Sequence, residues 1–312
     1  MNPFAALGLS PALARGASDR GYMTPTPIQA AAIPAALGGS DVLASAQTGS
    51  GKTAAFALPL LHRLEAAPRK TPRRTRALVL VPTRELAAQV GESIRSLGEH
   101  LAGHVKVAIL FGGVSINPQL MGLRGGADVV VATPGRLLDV IDHNALTLAD
   151  VGILVLDEAD RLLEAGFADE LSRVLALLPR RRQSLLFSAT FPPAVQALAQ
   201  GLLREPVRID ATAGPSEPSA EPDIEQHALE VDAPLRTPLL RHLIQQGGWT
   251  RVLVFVAMGG VEIAALGWAV ERDLTFGTTT DGADFFRLGW TKAAGFAFVA
   301  DWTKHERSPG DE

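Results

Sequence analysis

The octapeptide Ala46 to Thr53, AQTGSGKT, carries glycines at 49 and 51 followed by a lysine and a threonine. It lies between an apolar run beginning at Val42 and a helix-like stretch from Ala54 to Glu65. Strand, glycine-rich loop and helix in that order let backbone N–H groups and a helix N-terminus converge on a polyphosphate. Lys52 then reaches the β- and γ-phosphates and the Thr53 hydroxyl ligates Mg²⁺. The general pattern opens with glycine, and Ala46 stands in that place. A glycine-rich turn with a surface lysine is the other reading of these eight residues taken alone. A second chemical element ends the apolar run ILVL, where Asp157 and Glu158 stand side by side. Beside a phosphate loop, such a pair supplies one carboxylate for Mg²⁺ and one to activate water. An aspartate capping a helix is the alternative, although capping needs only one acid.

Residues so far apart in sequence meet only if a sheet brings them together. From Val42 to Ile209 short apolar runs alternate with longer amphipathic ones, which predicts a parallel α/β sheet covered by helices on both faces. The expected strands are Val42–Ala46, Ala77–Val81, Val105–Leu110, Asp128–Ala132, Ile153–Asp157, Ser184–Ser188 and Val207–Ile209. In such sheets ligands sit beyond the carboxyl ends of the strands. The chemically loaded segments all follow strands: Gln47 to Thr53, Pro82 to Glu85, Gly112 and Gly113, Thr133 to Arg136, Asp157 to Asp160, and Ser188 to Thr190. The basic clusters Arg69 to Arg76 and Arg180 to Arg182 precede strands, which assigns them to the opposite edge as a solvated face.

Composition narrows the classes further. A chain of 312 residues, 47% hydrophobic and 20% charged, has room for two globular domains. The absence of cysteine excludes disulfides and thiolate-bound zinc, and with no signal-peptide pattern at the N-terminus a cytoplasmic protein is expected. A net charge of −4 gives no global sign of nucleic-acid binding, so any such surface must be local. Val252 to Val270 nearly reaches membrane-spanning length, but Glu262 at mid-span and a Met-Gly-Gly interruption favour a buried strand and helix; no membrane association is expected. The expected boundaries are a domain over 1–210, a Pro/Ser/acid-rich linker over 211–223, and a partial or aberrant second domain over 224–312.

The motifs taken together resemble the DEAD-box ATP-dependent RNA helicases, in their bacterial RhlE-like branch. Phe4 and the stretch Gly21 to Gln29, GYMTPTPIQ, are similar to the isolated aromatic and Q motif of that family. AQTGSGKT, PTRELA (Pro82 to Ala87), the pair Gly112 and Gly113, TPGR (Thr133 to Arg136), DEAD (Asp157 to Asp160) and SAT (Ser188 to Thr190) follow in family order. The resemblance covers residues 1 to 258 and implies a RecA-like first domain followed by an incomplete second one. It implies that ATP and Mg²⁺ are bound by Phe4, Tyr22, Thr24, Gln29, Ala46, Gln47, Thr48, Gly49, Ser50, Gly51, Lys52 and Thr53. Tyr22 would offer a ring face to adenine and Gln29 its amide. Lys52, Asp157, Glu158, Ser188 and Thr190 form the implied catalytic set, with Thr53 and Asp157 toward the metal, Glu158 as the base, and Ser188 and Thr190 linking ATP to RNA. Sequence-independent RNA backbone contacts are implied for Pro82, Thr83, Arg84, Gly112, Gly113, Thr133, Pro134, Gly135 and Arg136, in a protein expected to be monomeric.

The likeness stops after Met258. The family's ARGLD-like motif and its arginine-rich HRxGRxGR motif are not found there, and the cations that remain, Arg272, Arg287, Lys292, Lys304 and Arg307, do not reproduce that spacing. Thr275 to Glu312 shows neither helical nor strand periodicity, and an out-of-register translation of this tail is one expectation. Two functions stay open: an RNA-stimulated ATPase that unwinds RNA, and an ATP- and RNA-binding module that does not.

Overall fold

The computed structural model describes residues 2–46, 49–67, 73–211, 225–227, 229, 231–247, 251–254, 285–291 and 296–302. It divides into two units, Met1–Pro215 and Ser216–Glu312.

The first unit is built on seven parallel strands: β1 (Val42–Ser45), β2 (Ala77–Leu80), β3 (Val107–Leu110), β4 (Val129–Ala132), β5 (Ile153–Leu156), β6 (Gln183–Ser188) and β7 (Val207–Asp210), in the spatial order β3-β4-β2-β5-β6-β1-β7. Each matches an expected strand with its ends shifted by up to two residues. Apart from the edge strand β7, which is buried only at Ile209, the strands carry consecutive apolar residues because both faces are covered, and β2, β4 and β5 are buried at every residue. Alternation then assigns side chains to faces. Val79, Val131 and Val155 pack with helices α1 (Pro11–Asp19), α2 (Pro27–Leu37), α3 (Lys52–Ala66) and α4 (Arg84–Leu97), where Phe56 of α3 meets Phe187 of β6 at 5.4 Å between ring centroids. Leu78, Leu80, Val130, Leu154 and Leu156 face the other way, toward α6 (Pro134–Asp142), α7 (Ala159–Glu164), α8 (Ala168–Ala176) and α9 (Pro193–Leu202); α5 (Asn117–Gly122) follows β3.

Helix starts follow local chemistry. Thr83 accepts a hydrogen bond from the Leu86 N–H (3.2 Å) at the start of α4, and Pro27 and Pro134 occupy first-turn positions of α2 and α6, where a missing N–H costs nothing. Close approach is needed at Gly91, where an added Cβ would lie 2.5 Å from the Ile109 side chain, so α4 sits directly on β3.

The second unit contains β8 (Glu225–His227), α10 (Arg236–Gly247), β9 (Arg251–Val254), β10 (Phe285–Thr291) and β11 (Phe296–Trp302), with sheet order β8-β10-β11-β9. β10 runs antiparallel to both β8 and β11, and β11 runs parallel to β9. β10 and β11 lie in the stretch after Thr275, whose sequence shows no clear helical or strand periodicity; FAFVADW is apolar at all but one position, which hides a period of two. Residues 255–270, the remainder of the stretch weighed as a membrane span, lie outside the described residues. Among the described residues no helix is long and apolar enough to cross a membrane.

The N-terminal edge of the first sheet holds a buried ion triad. Asp128, 4% exposed, accepts from Arg73 at 2.5 Å, from Arg76 at 3.2 Å and from the Lys106 N–H at 2.9 Å. Asp128→Ala leaves two cations without their counterion, with only backbone carbonyls to donate to, and the Lys106 amide without its acceptor, a loss of about 3 kcal/mol by the standard of broken buried pairs, at the low end because Arg73 is 30% exposed. Urea unfolding should show it as a lower midpoint at unchanged slope, and a shift under about 1 kcal/mol would contradict the role given to Asp128.

Candidate nucleotide and nucleic-acid site

Strand order sorts the loaded loops into two neighbouring groups. The loops after β5, β6 and β1, which carry Asp157, Ser188 and Lys52, come from three adjacent strands. Those after β3, β4 and β2, which carry Gly112, Thr133 and Thr83, come from the other three. With strands about 4.8 Å apart, the outermost loops of the two groups stand roughly 24 Å from each other along one edge.

In the first group Gly51 has φ +93°, and a Cβ there would lie 2.5 Å from Gln29 Nε2. Glycine is therefore required both by backbone conformation and by space. Gln29, 2% exposed, accepts the Thr26 N–H at 3.0 Å and donates to the Gly51 carbonyl at 3.1 Å, while the Thr26 hydroxyl donates to the Ser50 carbonyl at 2.9 Å. Thr26 was not singled out by its sequence, although Thr-Pro-Ile-Gln is an S/T-x-x-Q capping signature with proline at the first helical position. Gly49 also has positive φ, at +84°, with open space where a side chain would stand. Ala46 is buried and donates its N–H to the Ser188 carbonyl at 3.1 Å. Its φ is not positive, so the position needs no glycine. Gln47 and Thr48 lie outside the described residues. Phe4 is fully buried with its ring centroid 6.3 Å from that of Tyr22, which is half-buried; Thr24 is exposed.

Lys52 opens α3 and is 7% exposed, and its Nζ is buried with no hydrogen-bond partner among the described residues. Thr53 beside it is partly exposed. Burial pushes the Asp157 carboxyl up to about 6, with the Lys52 charge pulling it down and Glu158 pushing it up. Glu158, 9% exposed, starts α7 with left-handed backbone, φ +52° and ψ 55°. That conformation costs a non-glycine residue about 1 kcal/mol or more. It is held by the Glu158 N–H to Asp157 Oδ1 (3.1 Å) and by the Leu162 N–H to the Glu158 carbonyl (3.0 Å). The Arg161 guanidinium lies 3.6 Å from the Glu158 carboxylate.

Asp160 joins this acidic loop to the loop after β6. Its Oδ2 accepts from the Thr190 N–H (2.9 Å) and hydroxyl (2.8 Å). The Ser188 hydroxyl accepts the Asp160 N–H (3.2 Å) and donates to the Thr190 carbonyl (2.7 Å). Burial alone would raise the Asp160 carboxyl; the bonds from Thr190 and from the Arg161 N–H outweigh it and hold the carboxyl below the ordinary aspartate range.

In the second group Pro82 is buried, Thr83 and Arg84 are exposed, and Arg84 pairs with Glu85 at 2.5 Å. Gly113 has φ +80°, and the nearest group to its open side is Arg84 Nη1. Gly112 is half-buried with open space beside it. Thr133 and Pro134 are buried at the start of α6 and Gly135 is partly exposed. Arg136, expected as a phosphate contact, is 9% exposed: Nη2 donates to the Val114 carbonyl at 2.7 Å and Nε lies 3.4 Å from Asp139. It thus ties the start of α6 to the paired-glycine loop, and its Nη1 is buried without a hydrogen bond.

The residues present fit a magnesium–nucleotide pair. Mg²⁺ usually takes one or two carboxylates and completes its shell with water and substrate phosphates, so Asp157 and the Thr53 hydroxyl form a sufficient donor set once a triphosphate is present. Among the described residues no group of three or more His, Cys, Asp or Glu side chains forms an all-protein metal cage.

Because the folded Asp157 carboxyl keeps its proton to higher pH than the unfolded chain, its contribution to stability is full below about pH 4 and declines as pH rises to about 6. Above that, ionising it costs the ligand-free fold about 3 kcal/mol. Asp157→Asn removes this cost and keeps an acceptor for the Glu158 N–H. Thermal melts without ligand should show the variant gaining on wild type as pH rises from 5 to 8, and an equal difference at both ends would contradict the assignment.

A model of the DEAD/DEAH box helicase family matches residues 26–198. The protein named ATP-dependent RNA helicase DeaD of Mycobacterium tuberculosis is 48% identical over 210 residues, covering 67% of this chain and 36% of that one. The protein of the same name from Escherichia coli is 42% identical over 255 residues, covering 81% and 39%. The chain thus spans about two fifths or less of the length of these curated relatives. The crystal structure of a DEAD box protein from the hyperthermophile Methanococcus jannaschii is 31% identical with a TM-score of 0.61, covering 88% of this chain and 80% of that one. These likenesses are to the family as a whole and not to its RhlE-like branch in particular. With sheet, loops and motifs in that agreement, the chain belongs to the DEAD-box branch of the DEAD/DEAH helicase family.

Proposed function

We propose that this chain binds ATP and Mg²⁺ at the loops after β5, β6 and β1, and hydrolyses the nucleotide under control of RNA bound at the loops after β3, β4 and β2. The observation that supports this most directly is the Lys52 ammonium, buried and without a hydrogen bond beside a glycine loop. A desolvated cation lacking acceptors is costly, and phosphate oxygens supply what it lacks.

Each side chain then has a task. Gln29 has spent one lone pair on the Thr26 N–H and one N–H on the Gly51 carbonyl, so one acceptor and one donor remain for the adenine edge. Base identity is thereby connected to the phosphate loop through Gly51. Tyr22 flanks the base, and Phe4 acts from beneath by fixing that ring. Lys52 holds the phosphates, and a magnesium ion at Thr53 and Asp157 would neutralise their charge as the bond to the leaving oxygen breaks. Glu158 orients the attacking water and takes its proton. Asp160, Ser188 and Thr190 carry any movement of the acidic loop to the neighbouring strand. On the RNA side Arg84 and the Gly112–Gly113 backbone meet phosphates, and Arg136 contributes chiefly by holding the Val114 carbonyl. Contacts of this kind are blind to base sequence.

Duplex unwinding is a further step of the same proposal. The second reading, a module that binds ATP and RNA without separating strands, is favoured by the missing arginine-rich spacing after Met258, since an arginine finger is worth about 10³ to 10⁵ in rate in related phosphoryl transfers. Steady-state ATP turnover by the 312-residue chain with and without RNA separates the two. Turnover that rises with RNA and falls about 10²- to 10⁴-fold in Glu158→Gln, with nucleotide affinity retained, supports the enzyme. Nucleotide binding without turnover supports the module, and turnover indifferent to RNA overturns the RNA half of the proposal.

A further inference from the structure

The N-terminal ends of the seven strands form an edge that the site does not use, and two arginine clusters stand on it. Their charges are handled differently. Before β2, Asp128 supplies Arg73 and Arg76 with a buried counterion. Before β6 and β7, by contrast, Arg180, Arg181, Arg182 and Arg204 form no ion pair among the described residues. Asp41, 7% exposed, lies close to them, but both of its oxygens accept from backbone: Oδ1 from the Ser184 N–H at 2.7 Å and Oδ2 from the Arg204 N–H at 2.8 Å. Glu205 is exposed and pairs with none of the four.

The fold nevertheless brings the Arg204 side chain back onto the Arg180–Arg182 segment. Arg204 donates to the Arg180 carbonyl, Arg182 Nη1 donates to the Pro179 carbonyl at 2.7 Å, and Arg182 Nε is buried with no partner. Burial, and then the like charge of Arg204, lowers Arg182 from its ordinary value, with Asp41 opposing. Four arginines gathered on one edge, none of them in an ion pair among the described residues, give a chain of net charge −4 a local positive field that attracts an anion. Arginine's planar fork suits phosphate oxygens in particular.

We infer that Arg180, Arg181, Arg182 and Arg204 form a second nucleic-acid surface, which takes the sugar–phosphate backbone of a single-stranded RNA flank on the edge opposite the motif loops. Neither of the segments 179–183 and 203–206 that carry the four contains an aromatic residue to stack a base, so the contact reads charge and not sequence. Proximity favours an RNA flank over an acidic protein, because a strand already held at the loops presents its own continuation at high effective concentration. This clause rests on the RNA reading proposed above. Strands of at most six residues at about 3.3 Å each separate the two edges by roughly 20 Å, a distance that on the order of ten nucleotides cover. Short RNA therefore reaches one surface and long RNA both.

The test uses the full chain and the triple variant R180Q/R181Q/R204Q, which leaves the partly buried Arg182 in place. Uridine oligomers of about 8 and about 30 nucleotides are titrated by fluorescence anisotropy across a salt series. Expected is a loss of about tenfold in affinity for the long oligomer and a salt slope shallower by about 2, from three phosphate contacts at about 0.7 each. Affinity for the short oligomer, turnover without RNA and melting temperature should stay unchanged. An unchanged slope for the long oligomer overturns the inference, as does equal loss for both lengths. Loss of poly-glutamate binding with RNA binding intact overturns it too, and assigns the edge to an acidic protein. If wild type binds only the long oligomer and the variant neither, the edge stands and the motif loops lose their RNA role.

Discussion

The structure of the first unit depends on a cation and an acid, both taken out of water at the mouth of an apolar sheet. Lys52 Nζ has no hydrogen bond, and Asp157 feels burial more strongly than it feels the lysine. In the ligand-free chain this arrangement is a liability, since desolvating either charge costs several kcal/mol and their mutual attraction returns only part of it. It persists because the surroundings leave no easier conformation. Lys52 is the first residue of a helix whose next turns are wholly buried, and Asp157 ends a strand hydrogen-bonded through its own N–H to the Leu80 carbonyl. The core provides the stability that the site consumes, and under the function proposed above a triphosphate with its metal would supply the missing acceptors and the missing cation together.

The sheet decides which chemistries are neighbours. Every strand of the first sheet is parallel, so every carboxyl end opens on the same side, but only the order β3-β4-β2-β5-β6-β1-β7 separates two trios of loops. β2 and β5 are the strands where the trios meet, in direct register from Ala77 against Ile153 to Leu80 against Leu156. A displacement of the acidic loop is therefore one strand spacing from the loop that starts α4. Two events far apart in sequence are brought within one rigid layer, which is the structural requirement for one to influence the other.

The strands were legible in the sequence because burial on both faces writes itself as consecutive apolar residues, and the loaded loops were legible because each follows such a run. Their spatial order was not, since parallel neighbours are chosen by long-range packing that no local pattern records. The same holds within the site. Gly51 reads as a phosphate-loop glycine, but its second reason, room for the Gln29 amide, exists only when α2 lies against the loop. Arg136 reads as an exposed phosphate ligand and is instead buried against Val114, because α6 and the paired-glycine loop pack together. Asp41 and Asp128 drew no notice, although an acid immediately before an apolar run marks both. In the tail, FAFVADW is apolar at all but one position, which obscures the alternation by which a strand is recognised.

Asp157 and Asp160 show how one loop gives the same side chain opposite characters. Both are buried, yet one carboxyl is raised and the other lowered. The difference lies in the donors. Among the described residues Asp157 accepts only the neighbouring Glu158 N–H, so its second oxygen stays available and the charged form is poorly supported. Asp160 accepts from the Thr190 hydroxyl and N–H and from the Arg161 N–H, so its charge is already spread over the fold. Environments that drive two like groups apart assign them different work. The carboxyl with unused acceptor capacity is the one suited to a cation that arrives with substrate. The saturated one is suited to hold the loop in place while that cation comes and goes. Between them stands Glu158, in a backbone conformation that glycine would adopt more easily. A carboxylate held there against its preference is better explained by what its side chain must reach than by the helix it begins.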